Sequence, residues 1–121
     1  MQTTTGENGP NGAPRPGPER VGRYVRMTAQ EGRGDDLARN LLTVAAGMGE
    51  VPGCEAYIVN ASPDEADVVW VTEVWADAAS SDAALNRDLG EAGLGAVLEL
   101  LAGAPEYIEV SPLGGPGLTR T

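Results

Sequence analysis

Val68-Val69-Trp70-Val71-Thr72-Glu73-Val74-Trp75 decides how this chain folds. Four valines, a threonine and both tryptophans of the chain make it the most β-prone run in the sequence. A period of two sends Val69, Val71, Glu73 and Trp75 to one face and Val68, Trp70, Thr72 and Val74 to the other. Both faces are largely apolar, so the strand must be covered on both sides. In a chain of 121 residues helices can cover one face, and a second subunit is expected on the other. Glu73 breaks the pattern. An ionised carboxylate buried there is costly unless it is paired, protonated or wet. Two readings stay open: an ion pair, with Arg26 as a candidate partner, or a general base in a cavity shared with Trp75.

On either side of this strand the chain alternates strand and helix signals. Residues 22–30 alternate, with Val25, Met27 and Ala29 on one face and Tyr24, Arg26 and Thr28 on the other. Asp35 opens a helix, with Asp35 or Gly34 as its cap, and Leu37, Leu41, Val44, Ala45 and Met48 form its apolar stripe. The helix runs out at Gly47–Gly49, and Pro52-Gly53 turns the chain into a second strand over residues 54–60. That strand pairs with residues 68–75 as an antiparallel hairpin, with Tyr57 and Val59 on one face and Ala56, Ile58 and Asn60 on the other. Asp77 caps an alanine-rich helix over residues 78–87. A further helical stretch over 93–102 carries Leu94, Val97, Leu98 and Leu101 on one face and stops at Gly103. Residues 105–111 read as the last strand. The order is βαββαβ, the α+β ferredoxin-like plan of an antiparallel sheet with helices on one face. The bare face predicts face-to-face dimerisation.

Residues 1–20 are rich in Gly, Pro, Asn and Thr and read as a disordered tail. Residues 21–113 read as the folded domain, and residues 114–121 as a Gly/Pro tail that can lie along a partner. The formal net charge is −10, carried by the folded body, which argues against nucleic acid or an anionic membrane as partner. The absence of histidine removes the usual metal ligand, the usual proton shuttle and every histidine-assisted nucleophile. Cys54 is the single cysteine, so no internal disulfide forms. No apolar run reaches the roughly 20 residues of a membrane span, and residues 1–20 are not expected to act as a secretory leader. A reducing, cytoplasmic setting is the expectation.

The run Val51-Pro-Gly-Cys-Glu-Ala-Tyr-Ile-Val-Asn60, followed by Val69-Trp-Val-Thr-Glu-Val-Trp-Ala-Asp77, resembles the antibiotic biosynthesis monooxygenase (ABM) family, quinol monooxygenase-like proteins included. The Pro-Gly-Cys turn, the Glu-x-Trp-x-Asp strand ending, Arg26 in the first strand, the leucine-rich first helix and Gly103-Ala-Pro105 before the last strand carry it, over about residues 23–113. The resemblance implies a dimeric α/β barrel. In oxygenase members it implies attack of O2 on a hydroquinone, anthrone or similar phenolic ring with no metal and no flavin. It assigns Trp75 to the cavity wall. It also marks departures: many members carry a His-Leu pair where this chain has Ala84-Leu85, and an aromatic residue where it has Ser81. The expectation is therefore a cofactor-independent monooxygenase acting on a small aromatic, quinol or polyketide-type substrate. Glu73 would be the base or acceptor, Trp75 the stacking wall and Arg26 or Arg87 the stabiliser of developing charge, with Tyr24, Tyr57, Asn86 and Arg87 contacting substrate. The alternatives are a biosynthetic cyclase or isomerase, or a ligand-binding dimer without catalysis, on the same scaffold. Haem degradation is disfavoured for want of a histidine ligand.

Overall fold

The computed structural model describes residues 19–89 and 92–118, and of residues 85–89 and 92–94 the backbone alone. The expected tail over residues 1–20 therefore lies, up to residue 18, outside the described residues. The element order is β1 (Val21–Thr28), α1 (Gly34–Met48), β2 (Cys54–Ala61), β3 (Val68–Trp75), α2 (Ala78–Leu89), α3 (Ala92–Leu100) and β4 (Glu106–Val110). The strands form one open antiparallel sheet in the order β2-β3-β1-β4. This is the ferredoxin-like α+β arrangement expected from the sequence, with the second helical region divided into α2 and α3. β3 is an inner strand, as its two apolar faces require.

The helix-facing side of the sheet holds the core. Val25, Met27, Val69 and Val71 pack against Leu37 and Leu41 of α1 and Val97 and Leu100 of α3. Full burial of one such side chain is worth roughly 1.5–3 kcal/mol. Trp75, Met48 and Ala84 form a second, adjoining cluster. The stripe read for α1 is confirmed at Leu37, Leu41 and Met48, all buried. In α3 the expected face is rotated: Val97 and Leu100 are buried and Leu98 is 49% exposed. The helix ends at Leu100 because the next residues join the sheet. Leu101 bridges Ala29, and the Ala102 N–H donates to the Thr28 carbonyl at 2.8 Å.

The cap of α1 also differs from expectation. Arg33 holds the N-cap position without a side-chain hydrogen bond. The capping carboxylate comes instead from Asp67, just before β3. Its Oδ2 accepts from the Gly32 N–H and its Oδ1 from the Gly34 N–H, each at 3.0 Å. Position 34 must be glycine for this approach, since a Cβ would run into the Ala66 carbonyl oxygen. At α2 the reading is confirmed, with the Ser80 N–H donating to Asp77 Oδ1 at 2.8 Å.

Among the described residues no helix lies on the opposite side of the sheet. Tyr24, Ile58, Ile108 and Val110 are exposed there, each at 40–53%. Near one end, Pro112 and Leu118 of the C-terminal segment line a shallow groove with Tyr24, Thr72 and Val74 of the same chain. The segment read as an arm for a partner thus lies, as far as Leu118, against its own sheet. Among the described residues no helix is long and apolar enough to cross a membrane.

Candidate active site

The register places one residue from each strand in a single row across the helix-facing side: Tyr57 of β2, Glu73 of β3, Arg23 of β1 and Glu109 of β4. The row beside it is apolar apart from one phenol, running Val59, Val71, Val25, Tyr107. Between the polar row and the helices lies a cleft of about 260 Å³. Val25 and Met27 form part of its floor, Met48 and Trp75 part of its wall, and Ser81 and Ala84 its α2 side. Tyr107, 60% exposed, stands at its open edge.

Glu73 is the centre of this arrangement. Its Oε1 accepts from Arg23 Nη1 at 3.1 Å and from the Trp75 indole N–H at 3.0 Å. The side chains of Arg23 and Glu73 are 22% and 15% exposed, so the pair sits at the boundary between core and cleft. Arg23 is held from two further directions. Its Nη2 donates to Ser81 Oγ at 2.7 Å, and its Nε lies 3.5 Å from a Glu109 carboxylate oxygen. Ser81 is itself buried. A guanidinium fixed by two carboxylates and a buried hydroxyl has little rotamer freedom left.

Glu73 is thus ion-paired and also lines a cavity with Trp75. The partner is Arg23 and not Arg26. Arg26 has the opposite parity in β1 and lies on the bare face, where Nη2 binds Glu65 at 3.2 Å and Nη1 lies 3.8 Å from Glu106. Tyr24 shares that outer face and is likewise kept out of the cleft. Tyr57 lines the cleft and packs against both apolar clusters. Asn86 and Arg87 fall in α2, but their side chains lie outside the described residues. Trp75 is only 2% exposed yet borders the void, so its indole is a wall held by packing behind and by Glu73 at its edge.

Arg23, Ser81 and Glu109 were missed as site residues. Arg23 carried a signal: it shares parity with Val25 and Met27, the inward face of its strand. Cys54 lies opposite Trp75 in the β2–β3 ladder. Burial, and then the charge of Glu73, push its thiol up, away from the thiolate form. No group of three or more His, Cys, Asp or Glu side chains able to hold a metal occurs among the described residues. What the cleft offers is a carboxylate with one oxygen anchored, an indole wall, and a fixed cation.

The family model described as antibiotic biosynthesis monooxygenase matches residues 20–92. Among solved structures, a Chloroflexus aurantiacus J-10-fl protein carrying the name of an antibiotic biosynthesis monooxygenase is 31% identical. The match covers 83% of this chain and 99% of that one, with a TM-score of 0.70. A similarly named Caulobacter crescentus CB15 protein is 21% identical over 82% of this chain and 94% of its own, with a TM-score of 0.65. A conserved Methanosarcina mazei Go1 protein is 14% identical over 78% and 93%, with a TM-score of 0.69. The last two bear on the fold alone. No curated protein matches the chain.

Proposed function

We propose that this chain, which belongs to the antibiotic biosynthesis monooxygenase family, is a cofactor-independent oxygenase of a small electron-rich phenolic or quinol-type substrate, working as a homodimer. The observation that carries the reading is the Glu73 carboxylate, held beside Trp75 in the cleft by two hydrogen bonds that both fall on Oε1. Its Oε2 is the oxygen a substrate proton can reach.

The chemistry asks little else of the protein. Glu73 takes a proton from the substrate, and the resulting anion passes one electron to O2. The carbon radical and superoxide then join in a C–O bond, and the peroxide anion takes back the proton held by Glu73 to become a hydroperoxide. Loss of water from the hydroperoxide, with the second proton of the reacting CH2, leaves a carbonyl, so that CH2 and O2 become C=O and H2O. Trp75 supplies the flat wall that holds the ring, and the Arg23 guanidinium offsets charge developing on the peroxide. Positioned proton transfer of this kind contributes about 10²–10⁴-fold. Dimerisation is supported by the uncovered outer face with Tyr24, Ile58 and Ile108 exposed. Light scattering should report twice the mass of one chain.

Oxygen uptake with anthrone and with a reduced naphthoquinone tests the proposal. Wild type should consume O2 in step with product, and Glu73→Gln should lose about 100-fold in turnover with its fold intact. No uptake by wild type, or full uptake by Glu73→Gln, would refute it. One rival rests on the sequence resemblance, which implies a histidine in many members where this chain has Ala84: acid–base chemistry by Glu73 alone would suit a cyclase or isomerase. Product formation that persists without oxygen would identify that rival.

A further inference from the structure

One end of the outer face is already covered. A row across it runs Ala56 of β2, Val74 of β3, Gly22 of β1 and Val110 of β4. Val74 is 8% exposed, whereas Ile58, Tyr24 and Ile108 in the neighbouring row stand at 43–53%. Its cross-strand neighbours Ala56 and Gly22 are too small to shield it. The cover is the C-terminal segment, whose half-buried points are Pro112 and Leu118, both lining a space of about 230 Å³ with Val74, Thr72 and Tyr24. Gly22 is shaped for this contact. Its φ is not positive, but a Cβ there would lie 2.8 Å from a Val110 methyl carbon and 2.9 Å from the Pro112 ring. Between the two anchors residues 113–117 are exposed, and the Leu118 N–H closes a turn on the Gly115 carbonyl at 3.2 Å.

We infer that residues 112–118 form a displaceable strap, which competes within each monomer against a second copy of the chain for this end of the outer face. The inference rests on the reading of that face as the dimer face. Two sheets packed face to face stand about 10 Å apart, and their side chains fill that gap. A chain segment lying across one of them leaves no room for the other at that end. An isologous contact uses the same patch on both copies, so both straps must lift. The strap is built to let go. Its ladder with β1 stops at Val110, its two anchors are only half buried, and its turn holds Gly115 and Gly117 at φ 121° and 101°, residues that regain much freedom on release. Because two straps must open, the apparent dimer affinity falls with the square of the open fraction. A strap seated in about 70% of monomers therefore weakens the dimer about tenfold. On this reading the strap sets the concentration at which the chain assembles.

Sedimentation equilibrium over a dilution series of the full chain tests it, with wild type, Leu118→Ser, Pro112→Ser and Leu118→Met side by side. Both positions lie outside every strand and helix, so the sheet itself is left untouched. Each serine variant should lower the dimer Kd tenfold or more, while Leu118→Met, which keeps an apolar anchor, should stay within threefold of wild type. Methyl NMR of wild type supplies a second readout. A Val74–Leu118 cross-peak should be present in dilute protein and fade as the dimer fills. Equal Kd in all four proteins, weaker dimers from the serine variants, or a cross-peak at full strength in the dimer would overturn the strap and leave the dimer reading standing. Monomers of all four proteins at every concentration would overturn both.

Discussion

Replacing Arg23 with methionine tests the ion pair at the centre of the site. Methionine keeps most of the aliphatic length and removes the cation. Glu73 is then left at the edge of the core with the Trp75 N–H still donating to it. The magnitude is bracketed from both sides. A fully buried pair that loses one partner costs about 3–5 kcal/mol, whereas an exposed pair is worth about 0.2–1. Side-chain exposures of 22% and 15% place this pair between the limits, and the loss of the Ser81 hydroxyl's donor adds to the cost. About 2 kcal/mol is the expected destabilisation, or about 8–16 °C in Tm for a domain of this size. Glu73→Gln should cost about 1 kcal/mol, because Arg23 keeps Glu109 and Ser81. The double variant isolates the interaction. Urea unfolding of all four proteins should give a coupling of about 1–1.5 kcal/mol. Single-variant costs that add to the double within about 0.3–0.5 kcal/mol would refute the pair as a structural element, whatever the distance between the groups.

Two further outcomes follow from the cap and the thiol. Asp67→Ala removes both bonds to Gly32 and Gly34, and should cost about 1.5 kcal/mol, near the upper part of the range for helix caps. Amide exchange should quicken first at those two glycines, and protection spread evenly along α1 would argue against the capping role. Cys54 is pushed up by burial first and by Glu73 second, so folding favours its protonated form. That contribution is whole below the ordinary thiol range and is lost as pH rises through the higher folded-state value. Wild type should lose stability on alkalinisation more steeply than Cys54→Ala. Alkylation of the native thiol at mildly alkaline pH should be slower than that of free cysteine.

What could be read from the sequence was whatever rests on local periodicity. The parity of β3 put Trp75 and Glu73 on the core face, and the 3.6-residue stripe of α1 put Leu37 and Leu41 inside. Where the reading went astray, a contact distant in sequence had decided. Asp67 caps α1 from 33 residues beyond Gly34, across a loop whose path nothing local dictates. Leu98 faces outward, and just beyond it Leu101 and Ala102 pair with Ala29 and Thr28 at the end of β1, a pairing that has no signature in α3 itself. Arg26 was preferred to Arg23 as the partner of Glu73 although its own parity put it with Tyr24. Three residues of offset in one strand reverse the face, and the ladder that pairs Arg23 with Glu73 becomes visible only once β1 and β3 are in register. Asn86 and Arg87 drew on the family resemblance, and their side chains lie outside the described residues.

Register and chemistry are the same constraint in this sheet. The row that bears the candidate base takes Tyr57, Glu73, Arg23 and Glu109 from four different strands, and the apolar Val59, Val71 and Val25 run next to it. A slip of one residue in β1 would turn Arg23 to the outer face and leave Glu73 unpaired against the helices. A slip in β3 would send Glu73 outward and bring Thr72 or Val74 in its place. Either error is penalised by the burial of an unmatched charge or by exposure of Val71 and Trp75, so the pattern that selects the fold also selects the site. The carboxylate can stay in the sheet interior because the cleft beside it gives one of its oxygens somewhere to go. Filling that cleft, and not only removing Arg23, should therefore make Glu73 a liability to the fold.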